Sequence, residues 1–304
     1  MQRRSLLGVM ISAMVAPWAA QAQPQGGGGR RFGGIAEDQL LRAIREGRIV
    51  SRRNVGSTSV NLRLDLEGDI DAAWKPRSST HGEKYRAEIA AFRLNRILGL
   101  ERVPPVISRS IGRRQLGLPN DTVVLFERDN TARGAALYWV PVLRDSGIDR
   151  PADIERWSRA LRQGGRIEEA QHQKMEEVST LLVFDMLTGN WDRWSGSNVP
   201  AGADGHLIYR DNNGGFDEPF VDASMRQSLA WLRRAQKFRR GVIERARAMT
   251  AASVEAEMAN DPDAAHRPLS EAQVRSLLRR RDELLRYVDG LVTRHGAERV
   301  YAWA

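Results

Sequence analysis

Two pairs of charged residues are spaced as chemistry would need them. Lys75 closes the apolar run Ala72-Ala73-Trp74, and Glu88 follows 13 residues later at the edge of an otherwise apolar helical stripe. A strand lysine facing a helix glutamate forms an ion pair. Its plainer role is structural and its sharper role is to aim an ammonium. Asp192 lies in a Gly-Asn-Trp-Asp-Arg turn past a helical segment, and Asp211 comes 19 residues later in the turn Asp211-Asn212-Asn213-Gly214-Gly215. Two carboxylates at the mouths of adjacent elements can hold a divalent metal or divide base and metal duties, while loop aspartates also serve as caps and Asx-turns. The lysine is also scarce. Against 43 arginines the chain has four lysines, Lys75, Lys84, Lys174 and Lys237; for any one of them the plainer reading is drift at a surface position, and the sharper one is a need for compact charge rather than a planar fork.

In this order the sites match one reaction better than any of them does alone. Phosphoryl transfer from a nucleotide needs a glycine-containing hairpin over the phosphates and a lysine on them, oriented by a helix glutamate. It also needs one aspartate facing the acceptor hydroxyl and another on the metal. Gly56-Ser57-Thr58-Ser59 supplies the hairpin, without the full Gly-x-Gly-x-x-Gly spacing.

The elements that must position these residues follow from the patterning. The 304 residues are 41% hydrophobic and 28% charged, which fits one or two globular domains and excludes a disordered tail or a multi-span membrane protein. The absence of cysteine excludes disulfides, zinc fingers, thiolate clusters and cysteine nucleophiles. The five histidines, at 81, 172, 206, 266 and 295, show neither ligand spacing nor a Ser-His-Asp order, so no hydrolase reading stands. A short helix is expected over 37–45, three antiparallel strands over 52–76 and a strong helix over 83–98. Strand-like sequence continues through 123–126 and 135–143. A helix over 168–187, a short strand at 207–209 and an arginine-rich helical remainder complete the chain. The expectation is an α+β, two-lobed fold with a small β-rich lobe holding one main helix and a larger α-helical lobe.

The segment from Ala87-Glu88-Ile89-Ala90-Ala91-Phe92 through Asn95-Arg96-Ile97-Leu98 to Arg102-Val103-Pro104-Pro105-Val106 resembles the signature of the secretory-pathway kinases. That family includes the Golgi casein kinase, the glycosaminoglycan xylosylkinase and Four-jointed. Trp74-Lys75-Pro76 resembles its Phe-Lys-Pro, Phe184 to Arg193 its pre-catalytic helix and Gly-Asn-x-Asp-Arg turn, and Asp211 to Phe216 its metal loop. The likeness covers roughly residues 50 to 250 and implies a protein-kinase-like fold. It also implies that Lys75 contacts nucleotide phosphates, that Glu88 pairs with Lys75 and approaches the metal, that Asp192 is the catalytic aspartate, and that Asp211 binds Mg²⁺ or Mn²⁺. ATP or GTP would be the donor and a protein serine or a glycan hydroxyl the acceptor. Asn198 is a further candidate metal ligand, by analogy with the catalytic-loop asparagine of protein kinases and one residue further along. Trp194-Ser195-Gly196-Ser197 stands where relatives often carry histidines, which bears on acceptor recognition. The runner-up function is a pseudokinase acting through its surfaces, since ATP is made in the cytoplasm and this chain carries an export signal.

That signal is residues 1–22: Arg3 and Arg4, an uncharged run, and the cleavage pattern Ala20-Gln21-Ala22. A Gly-rich linker is expected over 23–35, the upper lobe over 36–143 and the lower over 144–304. The apolar run is too short for a membrane span, so the mature chain is expected to be soluble, periplasmic or secreted. Met225 to Arg247 holds eight basic residues and one acid. This reads as an amphipathic helix with a solvated arginine face or, more sharply, as a contact for an anionic partner. The net charge of +9 is compatible with nucleic acid, but export and the lack of any nucleic-acid motif argue against it. Gln2-Arg3-Arg4-Ser5-Leu6-Leu7 resembles a twin-arginine signal, with chance pairing in an arginine-rich chain as the competing reading. If the twin-arginine route is used, replacing Arg3 and Arg4 by lysine abolishes export, because that route reads the paired guanidinium groups. Undiminished appearance of the double-lysine protein outside the cytoplasm, followed by fractionation and immunoblot, would assign export to the general route.

Overall fold

The computed structural model describes residues 29–56, 60–119, 122–194, 198–217, 222–263 and 266–304. The chain enters through a two-residue hairpin, β1 (Arg31–Phe32) and β2 (Ile35–Ala36), and then helix α1 (Glu37–Glu46). A five-stranded antiparallel sheet follows, with β3 (Ile49–Asn54), β4 (Leu62–Leu66) and β5 (Asp71–Pro76) consecutive in it. After helix α2 (Tyr85–Ile97) come β6 (Val106–Gly112), the single turn α3 (Arg113–Leu116) and β7 (Thr131–Tyr138), giving the order β3-β4-β5-β7-β6. Alternation along β5 divides its two faces. Ala72 and Trp74 go into a core with Leu62, Leu64, Leu66 and Ile44 of α1, while Ala73 and Lys75 face the cleft beneath the sheet. The register pairs Lys75 with Ala135 and Pro76 with Gly134.

The larger lobe is helical: α4 (Pro151–Leu161), α5 (His172–Thr188), α6 (Asp222–Leu232), α7 (Arg240–Ala248), α8 (Ala251–Met258), α9 (Glu271–His295) and α10 (Ala297–Val300). Helix α5 is buried almost all round from Met175 to Thr188, as the central helix of a bundle must be. Its core is continuous with the underside of α2, through Ile89, Phe92 and Leu94. Among the described residues no helix is long and apolar enough to cross a membrane.

Four expectations need correction. The supposed linker is structured at its end: Phe32 is buried, and Gly33 and Gly34, at φ +55° and +82°, form the tight turn of a hairpin rather than a flexible tether. The 225–247 stretch is not one helix. Between α6 and α7 the chain turns at Arg233–Arg234 and is then pinned outside any helix, with Gln236 N–H donating to Leu161 O and Phe238 N–H to Val300 O. The side chains of Ala235 and Phe238 are buried there, so tertiary burial overrides the helical pattern and no continuous arginine face exists. The segments at 123–126 and 207–209 form only isolated bridges, Ser78 with Val124 and Ala201 with Leu207, because each has a single short partner. The helix expected from 168 begins as one 3-10 turn at Glu169–Gln171 and becomes α-helical at His172.

Gly134 permits the close approach at Lys75. A Cβ there would sit 2.5 Å from Lys75 O and 2.8 Å from Trp74 Nε1, and two paired strands cannot part locally to admit it. Gly134→Ala is expected to cost about 1–3 kcal/mol, read as a lowered urea midpoint. An unchanged midpoint would show that the strands yield.

Candidate active site

The inter-lobe cleft has a volume of about 460 Å³. Lys75 and Glu88 enter from above, and Asp192, Asp211 and Asn212 line it from below. Lys75 Nζ donates to Glu88 Oε1 at 2.5 Å and to Asp211 Oδ1 at 2.8 Å. Glu88 is fully buried, and its two oxygens also accept the Asn212 backbone N–H at 3.1 and 3.2 Å. One carboxylate therefore holds both the lysine above and the loop below. Burial alone would push the Lys75 ammonium down, but Glu88 and Asp211 outweigh it and hold its pKa above the ordinary lysine value. For Asp211, burial pulls upward and the Lys75 ammonium more than offsets it, leaving the carboxyl below its usual range. Both effects keep the pair charged.

The two aspartates are held in common by Asn190. Helix α5 ends at Gly189, in the left-handed region at φ +68°, which turns the chain sharply. Asn190 then accepts the Asp192 N–H on Oδ1 at 3.1 Å and donates from Nδ2 to Asp211 O at 3.2 Å. Asp211 itself has φ +58°, a conformation that aspartate tolerates better than most residues. Gly214 is packed so closely that a Cβ would lie 3.1 Å from Asp192 Cβ.

Beneath them Arg193 is wholly buried. Its Nε donates to both Asp185 oxygens at 3.0 and 3.1 Å, one terminal nitrogen donates to Asn212 Oδ1 at 2.6 Å, and the other donates to Arg210 O. The guanidinium thus ties α5, the Asp192 turn and the Asp211 loop together. Gln273 at the start of α9 donates to Phe216 O at 2.6 Å and holds the far end of that loop.

Of the residues singled out from the sequence, Lys75, Glu88, Asp192, Asp211 and Gly56 all line this cleft. Ser57, Thr58 and Ser59 lie outside the described residues. Asn198 does not line the cleft; its Nδ2 donates to Asp192 O at 2.9 Å, which braces the turn. Sequence reasoning gave no role to Asn190, Arg193, Asp185 or Asn212. A buried aspartate one helical turn before a Gly-Asn-x-Asp-Arg run was the available signal for the Asp185–Arg193 pair.

No family model and no curated protein matches the sequence. Solved structures do match. The crystal structure of the Golgi casein kinase with Mn/ADP bound gives a TM-score of 0.62 at 15% identity, over 86% of this chain and 77% of that one. A second structure of that kinase gives 0.60 at 16% identity, over 87% and 78%. The structure of hydra Fam20 with sugar gives 0.64 at 20% identity, over 86% and 90%. The chain therefore has the two-lobed kinase fold of the Fam20 type, and the resemblance read from its motifs holds at the level of the fold.

Burial pushes the Asp185 carboxyl up to about 6 despite the Arg193 guanidinium beside it. In the unfolded chain the group titrates near the ordinary value of about 3.9. The folded protein thus keeps a proton that the unfolded chain has lost, a contribution present below about pH 4 and lost as pH rises through about 6. Asp185→Asn has no such proton. The stability of the wild type relative to Asp185→Asn should fall by on the order of 3 kcal/mol between about pH 4 and 7, measured by urea unfolding at each pH. A difference constant across that window would show that Asp185 is ionised throughout.

Proposed function

We propose that the protein is an exported, metal-dependent kinase that transfers the γ-phosphoryl group of ATP or GTP to a hydroxyl on a protein or glycan. The observation that carries this reading is the convergence of Lys75 Nζ on Glu88 and Asp211 at 2.5 and 2.8 Å in the cleft that Asp192 also lines. A structural ion pair has no need of a second, loop-borne carboxylate at the mouth of a cleft.

In this reading Lys75 neutralises the α and β phosphates and Glu88 orients it. The Asp211 side chain is 40% exposed, and with Glu88 it offers hard oxygen donors. Among the described residues no three acidic or histidine side chains converge as a metal cage. Mg²⁺ is commonly held by one or two carboxylates together with substrate phosphates. The metal, held by Asp211 and Glu88, would supply charge neutralisation to the nucleotide phosphates. Asp192 accepts the acceptor hydroxyl's proton as the new O–P bond forms and the bond from phosphorus to the bridging oxygen breaks, with the nucleoside diphosphate leaving. Away from the phosphates the cleft wall is apolar, with Ala73, Val103, Leu137, Val140 and Ile208, as a nucleobase requires. The opposed reading, a pseudokinase, shares this fold and differs in having no transfer.

Three variants separate the two. Asp211→Ala is expected to lose metal-dependent nucleotide binding and transfer together. Asp192→Ala should retain binding while transfer falls by roughly 10²- to 10⁴-fold. Lys75→Arg keeps the charge, but its planar fork does not fit the space between Glu88 and Asp211, so transfer is lost. Thermal-shift titration with nucleotide and Mn²⁺, beside transfer of labelled phosphate to the protein itself and to envelope fractions, measures all three. Nucleotide binding without transfer by the wild type would favour the pseudokinase. The absence of both, or full transfer by Lys75→Arg, would overturn the kinase reading.

A further inference from the structure

The N-terminal hairpin sits directly behind the apolar end of the cleft. Phe32, Leu40 and Ile208 form a small core of their own, with Ile35, Ile70, Tyr138 and Val140 packed against it. Tyr138, Val140 and Ile208 also line the cleft. Each of the three thus presents one surface to the cleft and another to the hairpin. Phe32 is 5% exposed and meets the Tyr138 ring edge-on, with centroids 6.0 Å apart. Tyr138 ends β7 of the upper lobe and Ile208 belongs to the lower lobe, so this small core touches both sides of the crossing.

The hairpin is also tied down by charge. Arg30 donates to Arg96 O at 3.0 Å, Glu37 N–H donates to Arg30 O at 2.8 Å, and the Arg96 guanidinium bonds the Glu37 carboxylate and, at 2.9 Å, Glu257 of α8. These anchors hold a stretch that is otherwise only two strands of two residues each, a length that does not persist by itself.

We propose that Phe32 is a positioning residue for the nucleobase: its ring backs Tyr138, and the core it forms with Leu40 and Ile208, against which Val140 packs, sets the width of the slot that grips the base. The inference rests on the kinase reading for the identity of the ligand. The physical argument is packing. A protein wall is close-packed, and side chains that lose their backing relax into the space left behind. The wall would then retreat from the base while the phosphate end, built on Lys75 and Asp211, stays as it is.

That asymmetry makes the test specific. Binding of ATP and of inorganic tripolyphosphate, each with Mn²⁺, is measured by calorimetry on the wild type, Phe32→Ala and Phe32→Leu, with circular dichroism melts to show that each is folded. Phe32→Ala is expected to weaken ATP by about tenfold while tripolyphosphate changes by less than about twofold, and Phe32→Leu, which restores apolar volume, should recover most of the loss. A residue that only stabilised the fold would leave both ligands unchanged in the folded variant. Should Phe32→Ala fail to fold, Phe32→Leu carries the test, with a smaller loss confined to ATP. Equal ATP affinity in wild type and folded variants, or parallel loss of both ligands, overturns the role of Phe32 and leaves the kinase reading standing. A wild type that binds neither ligand overturns both.

Discussion

The Glu88 carboxylate is the constraint on which the cleft depends. It is fully buried, and a lone carboxylate so placed would cost several kcal/mol in lost hydration. Lys75 and the Asn212 N–H together compensate it, and each must come from a different part of the chain: strand β5, helix α2 and the loop after Tyr209. The site is therefore assembled completely or not at all, since removing one partner leaves a buried charge exposed to the full penalty. Helix α2 cannot retreat from this pairing at low cost. Arg93 donates to Asn260 O at 3.1 Å, and Arg96 forms an ion pair with Glu257, so the helix of the upper lobe is fastened to α8 of the lower. Its burial on nearly every face, from Tyr85 to Asn95, has the same effect.

A second buried charge performs the equivalent task below. Arg193 meets Asp185, Asn212 and the Arg210 carbonyl, so the direction of the Asp211 loop is set by a guanidinium whose planar fork matches three acceptors at once. Asn190 then adjusts Asp192 against Asp211 through one amide. Neither residue carries the reaction in the proposed mechanism. They account for why two short loops at the ends of different elements keep a fixed relation without disulfides.

That Lys75, Glu88, Asp192 and Asp211 line one cleft could be anticipated because each sits beside a local signal: a period-two strand at Lys75, an apolar helical stripe at Glu88, a Gly-Asn turn before Asp192 and an Asp-Asn-Asn-Gly-Gly turn at Asp211. The two-lobed order was legible for the same reason, strands preceding helices. What could not be read were effects that depend on distant partners. The break between α6 and α7 follows from Phe238 N–H finding Val300 O, more than sixty residues away by the numbering, and nothing in the amphipathic pattern of 225–247 announces it. Gly33-Gly34 reads as linker by composition and is a turn by circumstance, because Phe32 has a pocket to enter.

The same logic explains why the two lobes of this chain meet in more than a hinge. A single crossing after Tyr138 would leave their relative position soft, since inter-lobe surfaces of this kind ordinarily permit motion. Here the lobes are joined on two flanks. On one, Arg93 and Arg96 reach the 257–261 region; on the other, Phe32 and Leu40 share a small core with Ile208, and Tyr138 packs against it. The first flank fixes the helix that carries Glu88 and so the charged end of the cleft. The second backs the apolar end. Because Glu37 and Glu257 share the Arg96 guanidinium, the flanks are not independent. The N-terminal segment and α8 therefore meet α2 at one and the same cation, the Arg96 guanidinium.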